Sequence, residues 1–381
     1  LLTAGAAFKN VSIGEQIVTL APIQADRLQA AFDILDLRGG GIIQLLSGIY
    51  KITTAIVGKS SVALKGISAA ATILDFSDTA ANLSYAGTDV YTTGTITAIA
   101  SSVLVTGSGT SWLTEVEAGQ HLFLGTRWYK IAAVTSDTTL TLAEGYIDSV
   151  TLPSTYRIAS IVQDIELNDL TLQDSSGTAL TVTDGRQIVL DNVRANSSNK
   201  GIVYTNCSEV SSERVLTVTN TSNGIEATNV GLSDWESTNS IANGGHWVAF
   251  NNCKTFSIAA SAFDANTGDG FNLTTCQDII FFGEASGNGG QGIELVSGNT
   301  NIVLNNVIAS SNTSDGIKLT ASSDDCKILG GQIKSNGGYG INIAASTCDN
   351  NLIALNMILL NTTDQLNDSG TGTIIGANVG V

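Results

Sequence analysis

From residue 160 onward the chain reads as short strand-like alternations, such as those around Ile188-Val189-Leu190 and Ile302-Val303-Leu304. A period of two marks strands, and no span between 160 and 381 sustains the 3.6-residue period for the ten or more residues a helix needs. Within this pattern one phrase returns: Gly201-Ile202-Val203-Tyr204, Gly224-Ile225-Glu226-Ala227, Gly270-Phe271-Asn272-Leu273, Gly292-Ile293-Glu294-Leu295, Gly316-Ile317-Lys318-Leu319 and Gly340-Ile341-Asn342-Ile343. The glycines are 23, 46, 22, 24 and 24 residues apart, so one copy is skipped, and its expected place is His246-Trp247-Val248-Ala249. Gly177 and Gln365-Leu366 extend the series at its two ends. Asn220, Asn266, Asn288, Asn312 and Asn336 each stand four residues ahead of their glycine.

A unit of about 23 residues with two or three short strands cannot bury its apolar face alone. Stacked copies can, because each strand pairs in parallel with the one below at about 4.8 Å and the apolar positions merge into one interior. The pattern predicts a parallel β-solenoid over 159–381, with about nine turns. Its in-phase asparagines are expected to hydrogen-bond along the stack and to suit left-handed turns, and its glycines to hold positive φ. In Gly-Ile-x-Leu the first and last apolar residues face inward, which predicts an exposed column of Val203, Glu226, Val248, Asn272, Glu294, Lys318 and Asn342.

The N-terminal segment adds a second signal. Residues 23–32 form an amphipathic helix, with Leu28, Phe32 and Leu35 on one face and Gly39 as its stop. Gly39-Gly40-Gly41-Ile42-Ile43, Gly48-Ile49-Tyr50 and Leu64-Lys65-Gly66 follow. This opening, joined to the repeat, resembles the right-handed parallel β-helix proteins of the pectate-lyase-like superfamily, phage tailspikes among them, although the acidic loop usual ahead of the helix is missing. The resemblance implies an all-β, single-stranded parallel β-helix of roughly ten turns with a helical cap. It further implies a homotrimeric tailspike on a virion tail, acting on a bacterial capsule or O-antigen at the host-cell surface.

Three segments are expected: 1–90 as cap and first turns, 91–158 as an insert, and 159–381 as the main solenoid. The insert interrupts the repeat with short alternating runs separated by turns such as Gly107-Ser108-Gly109, the signature of a small antiparallel module. Its Trp112, Trp128 and Tyr129 are read chiefly as core, with sugar stacking as the alternative.

Composition narrows the partners. Of 381 residues only 13% are charged and 43% are apolar, with 40 glycines and 2 prolines, which excludes disorder and coiled coil. Acids outnumber bases 34 to 17, so the net charge of −17 repels nucleic acid and mildly favours a neutral substrate over a polyuronate. No apolar run approaches the roughly 18 residues of a membrane span, so no membrane insertion is expected. The opening LLTAGAAFKN has neither an initiator Met nor a signal-peptide pattern and reads as a fragment or a processed product. Five cysteines lack metal-ligand spacing, and Cys207, Cys253 and Cys276 are expected to stack as buried thiols at one corner. No metal or other cofactor is expected.

With only His121 and His246 in the chain, the available chemistry is carboxylate chemistry. Asp269 and Asp315 precede their glycines two turns apart, about 9.6 Å between backbones, and Glu294 lies on the turn between them. Inverting glycosidases space their carboxyls roughly 6.5–9.5 Å apart and retaining ones about 5–5.5 Å. Asp269, Glu294 and Asp315 are therefore the expected acid/base set. Asn272, Gln291 and Lys318 are expected to hold hydroxyls beside them, with Glu226 on the same column. In the irregular turn, Trp235 beside Asp234 and Glu236 is the expected sugar platform, and Trp247 an interior residue. Each acid also has an ordinary reading: Asp before Gly is a routine turn residue, and Glu294 facing Lys318 is a common cross-strand pair. Glycoside hydrolysis, uronate elimination, non-catalytic glycan binding and a purely structural virion role all remain open at this level.

Overall fold

The structure, a computed structural model, describes residues 16–147, 150–246 and 248–381. Two parallel sheets wind together. An eleven-stranded sheet takes strands from Ile56–Val57 through Lys200–Thr205, Ile225–Thr228, Val248–Asn251, Phe271–Thr274, Ile293–Ser297 and Ile317–Leu319 to Asp364–Asp368. A twenty-stranded sheet supplies the remaining walls, for example Gly231–Glu236 and Asn239–Ile241 within a single turn. The chain is thus an all-β parallel β-helix. Its interior is one continuous apolar cluster running from Val18 to Ile358. The cap is a 3₁₀ turn, Pro22–Arg27, leading into an α-helix, Leu28–Asp36, which buries Leu28, Ala31, Phe32 and Leu35 against the first turns. Gly39, at φ +85°, terminates it. No helix among the described residues is long and apolar enough to cross a membrane.

The asparagine ladder forms. Asn266 Nδ2 donates to Asn288 Oδ1 at 2.7 Å, Asn288 to Asn312 at 3.0 Å, and Asn312 to Asn336 at 2.9 Å, all buried. Two expectations fail in detail. These asparagines keep negative φ; the left-handed conformation is taken by other positions, among them the residues just ahead of the ladder (Thr219, Ala265, Ser311 and Ser335) and a second asparagine column, Asn206, Asn229 and Asn252. The repeat glycines do not take positive φ either. A Cβ on Gly270 would strike the Gly292 carbonyl and the Asn288 amide, so crowding by the next turn excludes a side chain.

The skipped repeat is also offset by one residue. Val248 pairs with Ile225 and Phe271, and Ala249 pairs with Glu226 and Asn272. The exposed column therefore contains Ala249, while Val248 is buried. Trp247, expected inside, lies outside the described residues.

The insert is an eight-stranded antiparallel sheet, from Thr88–Tyr91 to Arg157–Ser160, with its own apolar core. Trp112, Trp128 and Tyr129 are buried, which leaves no ring face for a sugar. Cys207, Cys253 and Cys276 do share one corner, with Val230 between the first two, and their thiols donate to backbone carbonyls.

Candidate active site on the eleven-stranded sheet

Two neighbouring columns build the site. Residues two positions before the inward Ile, Val or Phe of each turn form the first: Asn223, His246, Asp269, Gln291, Asp315 and Tyr339. Glu226, Ala249, Asn272, Glu294, Lys318 and Asn342 form the second. In the first column the side chains of His246, Asp269, Gln291 and Asp315 accept from the backbone N–H of the turn above. Asp269 Oδ1 accepts from Gln291 N at 2.8 Å, Gln291 Oε1 from Asp315 N at 2.7 Å, and Asp315 Oδ1 from Tyr339 N at 2.7 Å. Asp or Gln at this place is first a turn device.

What differs along the column is the fate of the second oxygen. Asp269 Oδ2 lies 3.2 Å from His246 Nδ1 and 3.0 Å from Asn272 Nδ2. The same Asn272 nitrogen is 3.2 Å from Glu294 Oε2, so one amide bridges the two carboxyls, and the bridged oxygens can be no further apart than those two lengths together. Glu294 Oε1 pairs with Lys318 Nζ at 3.2 Å. Burial works to raise the Asp269 carboxyl, but hydrogen bonds from His246, the Gln291 amide and Asn272 outweigh it and hold the carboxyl below the usual range. Glu294 moves the other way: burial and then the charge of Asp269 raise it against the pull of Lys318. The bond to Asp269 raises His246 despite its burial. Two adjacent carboxyls with pKa values driven apart are the raw material of an acid and a base.

The other expected residues divide. Asp315, 8% exposed against 7% for Asp269, has its second oxygen held by Asn342 Nδ2 at 2.8 Å, and that amide leads on to Asn367 rather than to a second carboxyl, which is what sets it apart from Asp269. Gln291 gives its Oε1 to the turn above. Glu226 belongs to the same face, held by Lys200 and by Asn223 Nδ2, each at 2.8 Å. Trp235 is fully buried, packed edge-on against Phe250 at 5.2 Å, so it is core and not a platform. Asp234 is exposed but lies on the other sheet, beside Leu232, Phe256 and Ile280. His246 is the residue that sequence reasoning missed. Aligning it with the repeat glycines, one place out of register, hid its membership in the Asp269 column. The second histidine, His121, is buried in the insert, where burial ahead of the Arg186 and Lys130 charges lowers it to about 4.

Comparison with known proteins adds the following. A family model described as periplasmic copper-binding protein (NosD) matches residues 216–376. Copper takes thiolate, thioether or imidazole donors. In that span the four cysteines are buried, His246 is held by Asp269, and among the described residues no three His, Cys, Asp or Glu side chains converge on one ion, so the residues present do not fit a copper centre. No curated protein matches the sequence. Among solved structures, the chain is similar to the A-module of mannuronan C-5 epimerase AlgE6 from Azotobacter vinelandii, at 14% identity and TM-score 0.61, covering 97% of this chain and 93% of that one. The AlgE4 A-module of the same organism aligns at 15% identity and TM-score 0.56, covering 94% and 97%. Tailspike protein 3 of bacteriophage CBA120 aligns at 12% identity and TM-score 0.53, covering 92% of this chain and 55% of that one. What these proteins share with the chain is architecture: it has the parallel β-helix fold of pectate-lyase-like proteins.

Proposed function

We propose that the protein binds and depolymerises a bacterial surface polysaccharide by glycoside hydrolysis, with Glu294 as general acid and Asp269 as the ionised partner. The observation that carries this is the single Asn272 amide joining two carboxyls of opposite pKa displacement. Such close spacing suits the roughly 5–5.5 Å separation of a retaining pair better than the inverting window. Protonated Glu294 delivers its proton to the departing glycosidic oxygen, and the Asp269 carboxylate bonds to the anomeric carbon as the old bond breaks. Water, deprotonated by Glu294, then releases the sugar. Asn272 and Lys318 hold the carboxyl geometry, and His246 keeps Asp269 ionised. Fold-level likeness to a phage tailspike and to two polysaccharide epimerases supports a glycan substrate and motivates the finer reading of a trimeric tailspike at the host surface.

A second reading is elimination or epimerisation at a uronate carbon, favoured by the two basic groups, His246 and Lys318, that flank the carboxyls. Incubation with a panel of capsular and O-antigen polysaccharides decides among these. New reducing ends without ultraviolet absorbance support hydrolysis, and an unsaturated, ultraviolet-absorbing product supports elimination. Intact glycan with native protein, or full activity in both Asp269→Asn and Glu294→Gln, removes the proposal. Sedimentation at equilibrium checks the trimer.

A further inference from the structure

The insert does not dangle from the solenoid. Trp128 Nε1 donates to the Asn206 carbonyl at 2.6 Å, and Arg157 grips Asp184 through two nitrogens, each at 2.7 Å. Thr126 presses on Gly231 so closely that a Cβ there would collide with it. These contacts leave a cleft of about 350 Å³ between the insert and one solenoid corner, lined by Phe123, Tyr156, Arg157, Asn206, Asn229 and Asn252 among others.

The cleft floor is an amide ladder. Asn252 Nδ2 donates to Asn229 Oδ1 at 2.8 Å, Asn229 Nδ2 to Asn206 Oδ1 at 2.8 Å, and Asn206 Nδ2 to Asp184 Oδ1 at 2.9 Å. All three asparagines hold left-handed corners, with φ of 51°, 55° and 52° in chain order. Asp, Asn, Gly and Ser all tolerate that conformation. Beyond the cleft the chain turns the same corner with Thr275, Gly298 and Ser322. Asparagine thus occupies three successive turns of this corner where they line the cleft. An amide has two N–H groups and two oxygen lone pairs, and the ladder uses one N–H of each asparagine and one lone pair of Asn206 and Asn229, so donor–acceptor sets are left over at steps of about 4.8 Å. Polyhydroxylic chains offer matching donors and acceptors. The cleft's one cation is already neutralised, because Arg157 is paired with both Asp89 and Asp184.

We infer that this cleft is a second glycan-binding site, selective for a neutral sugar segment. It lies at the strand ends of the sheet that carries the acid cluster, Asn229 following Glu226 by three residues. The inference takes from the proposed function only that the ligand is a polysaccharide. It does not require Asp269 or Glu294 to be catalytic. Because its walls are tied down before ligand arrives, little ordering is needed on binding.

The test measures binding to a printed panel of neutral and uronate-bearing bacterial polysaccharides, using Glu294→Gln protein so that the glycan stays intact. Thr155→Trp fills the cleft from its exposed rim, and Asn252→Asp keeps a corner-tolerant residue while replacing amide donors with a carboxylate. At unchanged Tm, each is expected to weaken binding to a neutral polysaccharide at least tenfold. Should Thr155→Trp fail to fold, Asn252→Asp alone decides. Affinity within twofold of the parent in both variants, selective capture of uronate-bearing chains, or no polysaccharide bound at all would overturn the inference. Unimpaired depolymerisation in Glu294→Gln would overturn the acid–base assignment and leave this cleft standing.

Discussion

The turns carrying Asp269 and Asp315 hold the same residue at the same station of the same column, and both carboxyls cap the backbone of the turn above. Their second oxygens part company. Asp269 meets a histidine below and an amide that leads on to Glu294, whereas Asp315 meets Asn342, which leads only to Asn367. A solenoid repeats its backbone but not its neighbours. Chemistry at a given station is decided by the side chains one turn up and one turn down, about 4.8 Å away.

Four experiments can break or sharpen that contrast. The largest effect is expected from Glu294→Gln and Asp269→Asn, each lowering the depolymerisation rate by about 10²-fold or more with the fold retained, since a general acid contributes about 10²–10⁴ and the amide of Asn cannot replace the nucleophilic carboxylate. Release of reducing ends by all three proteins would read this out, and a loss below tenfold would place Asp269 with Asp315. Next, Asp315→Ala should spare catalysis within tenfold but destabilise the protein by about 1–3 kcal/mol, because a buried amide and the Asn342 donor lose their acceptor. Denaturant unfolding measures it, and a large rate loss at unchanged stability would reverse the comparison.

His246→Gln removes the imidazole beside Asp269. The raised histidine contributes stability that is fully present below its unfolded value of about 6.5 and fades as pH rises through its elevated folded value. The gap in stability between native and variant should therefore be widest between the lowered Asp269 titration and the raised His246 titration, closing toward alkali as the histidine loses its proton and toward strong acid as Asp269 gains one. The acid limb of the rate profile should move to higher pH as Asp269 loses the bond that holds it down. Identical profiles would show His246 to be a turn residue only. The smallest change is expected for Lys318→Met. It should push Glu294 further up and carry the alkaline limb to higher pH, with a stability change of about 1 kcal/mol for this half-buried pair. An alkaline limb that stays in place would detach Glu294 from the acid's role.

Much of this was legible in the linear chain, for a physical reason. Period, glycine phase and asparagine phase all report one constraint, that copies must lie over one another, and that constraint is local enough to be written into every unit. The buried cysteine corner and the outward placement of Glu226, Asn272, Glu294 and Lys318 followed from it, and the helix ahead of Gly39 from its own amphipathic spacing. The irregular turn was not legible. With its glycine replaced, nothing in the spacing told whether His246 or Trp247 held the glycine place, and a slip of one residue exchanges inside for outside. Trp235 misled for a related reason: flanking acids suggest a surface, yet on a strand they point out because the residue between them points in.

The amino-acid order by itself settled that this chain stacks, because stacking is enforced by a short motif repeated in phase. Only the folded molecule gave each acid its neighbours, since the bonds from the Asp269 backbone N–H to His246 Nδ1 and from Asn272 to Glu294 join residues 23 and 22 positions apart. It alone also set the insert over the corner asparagines, because the Trp128–Asn206 contact spans 78 residues and no local pattern records it.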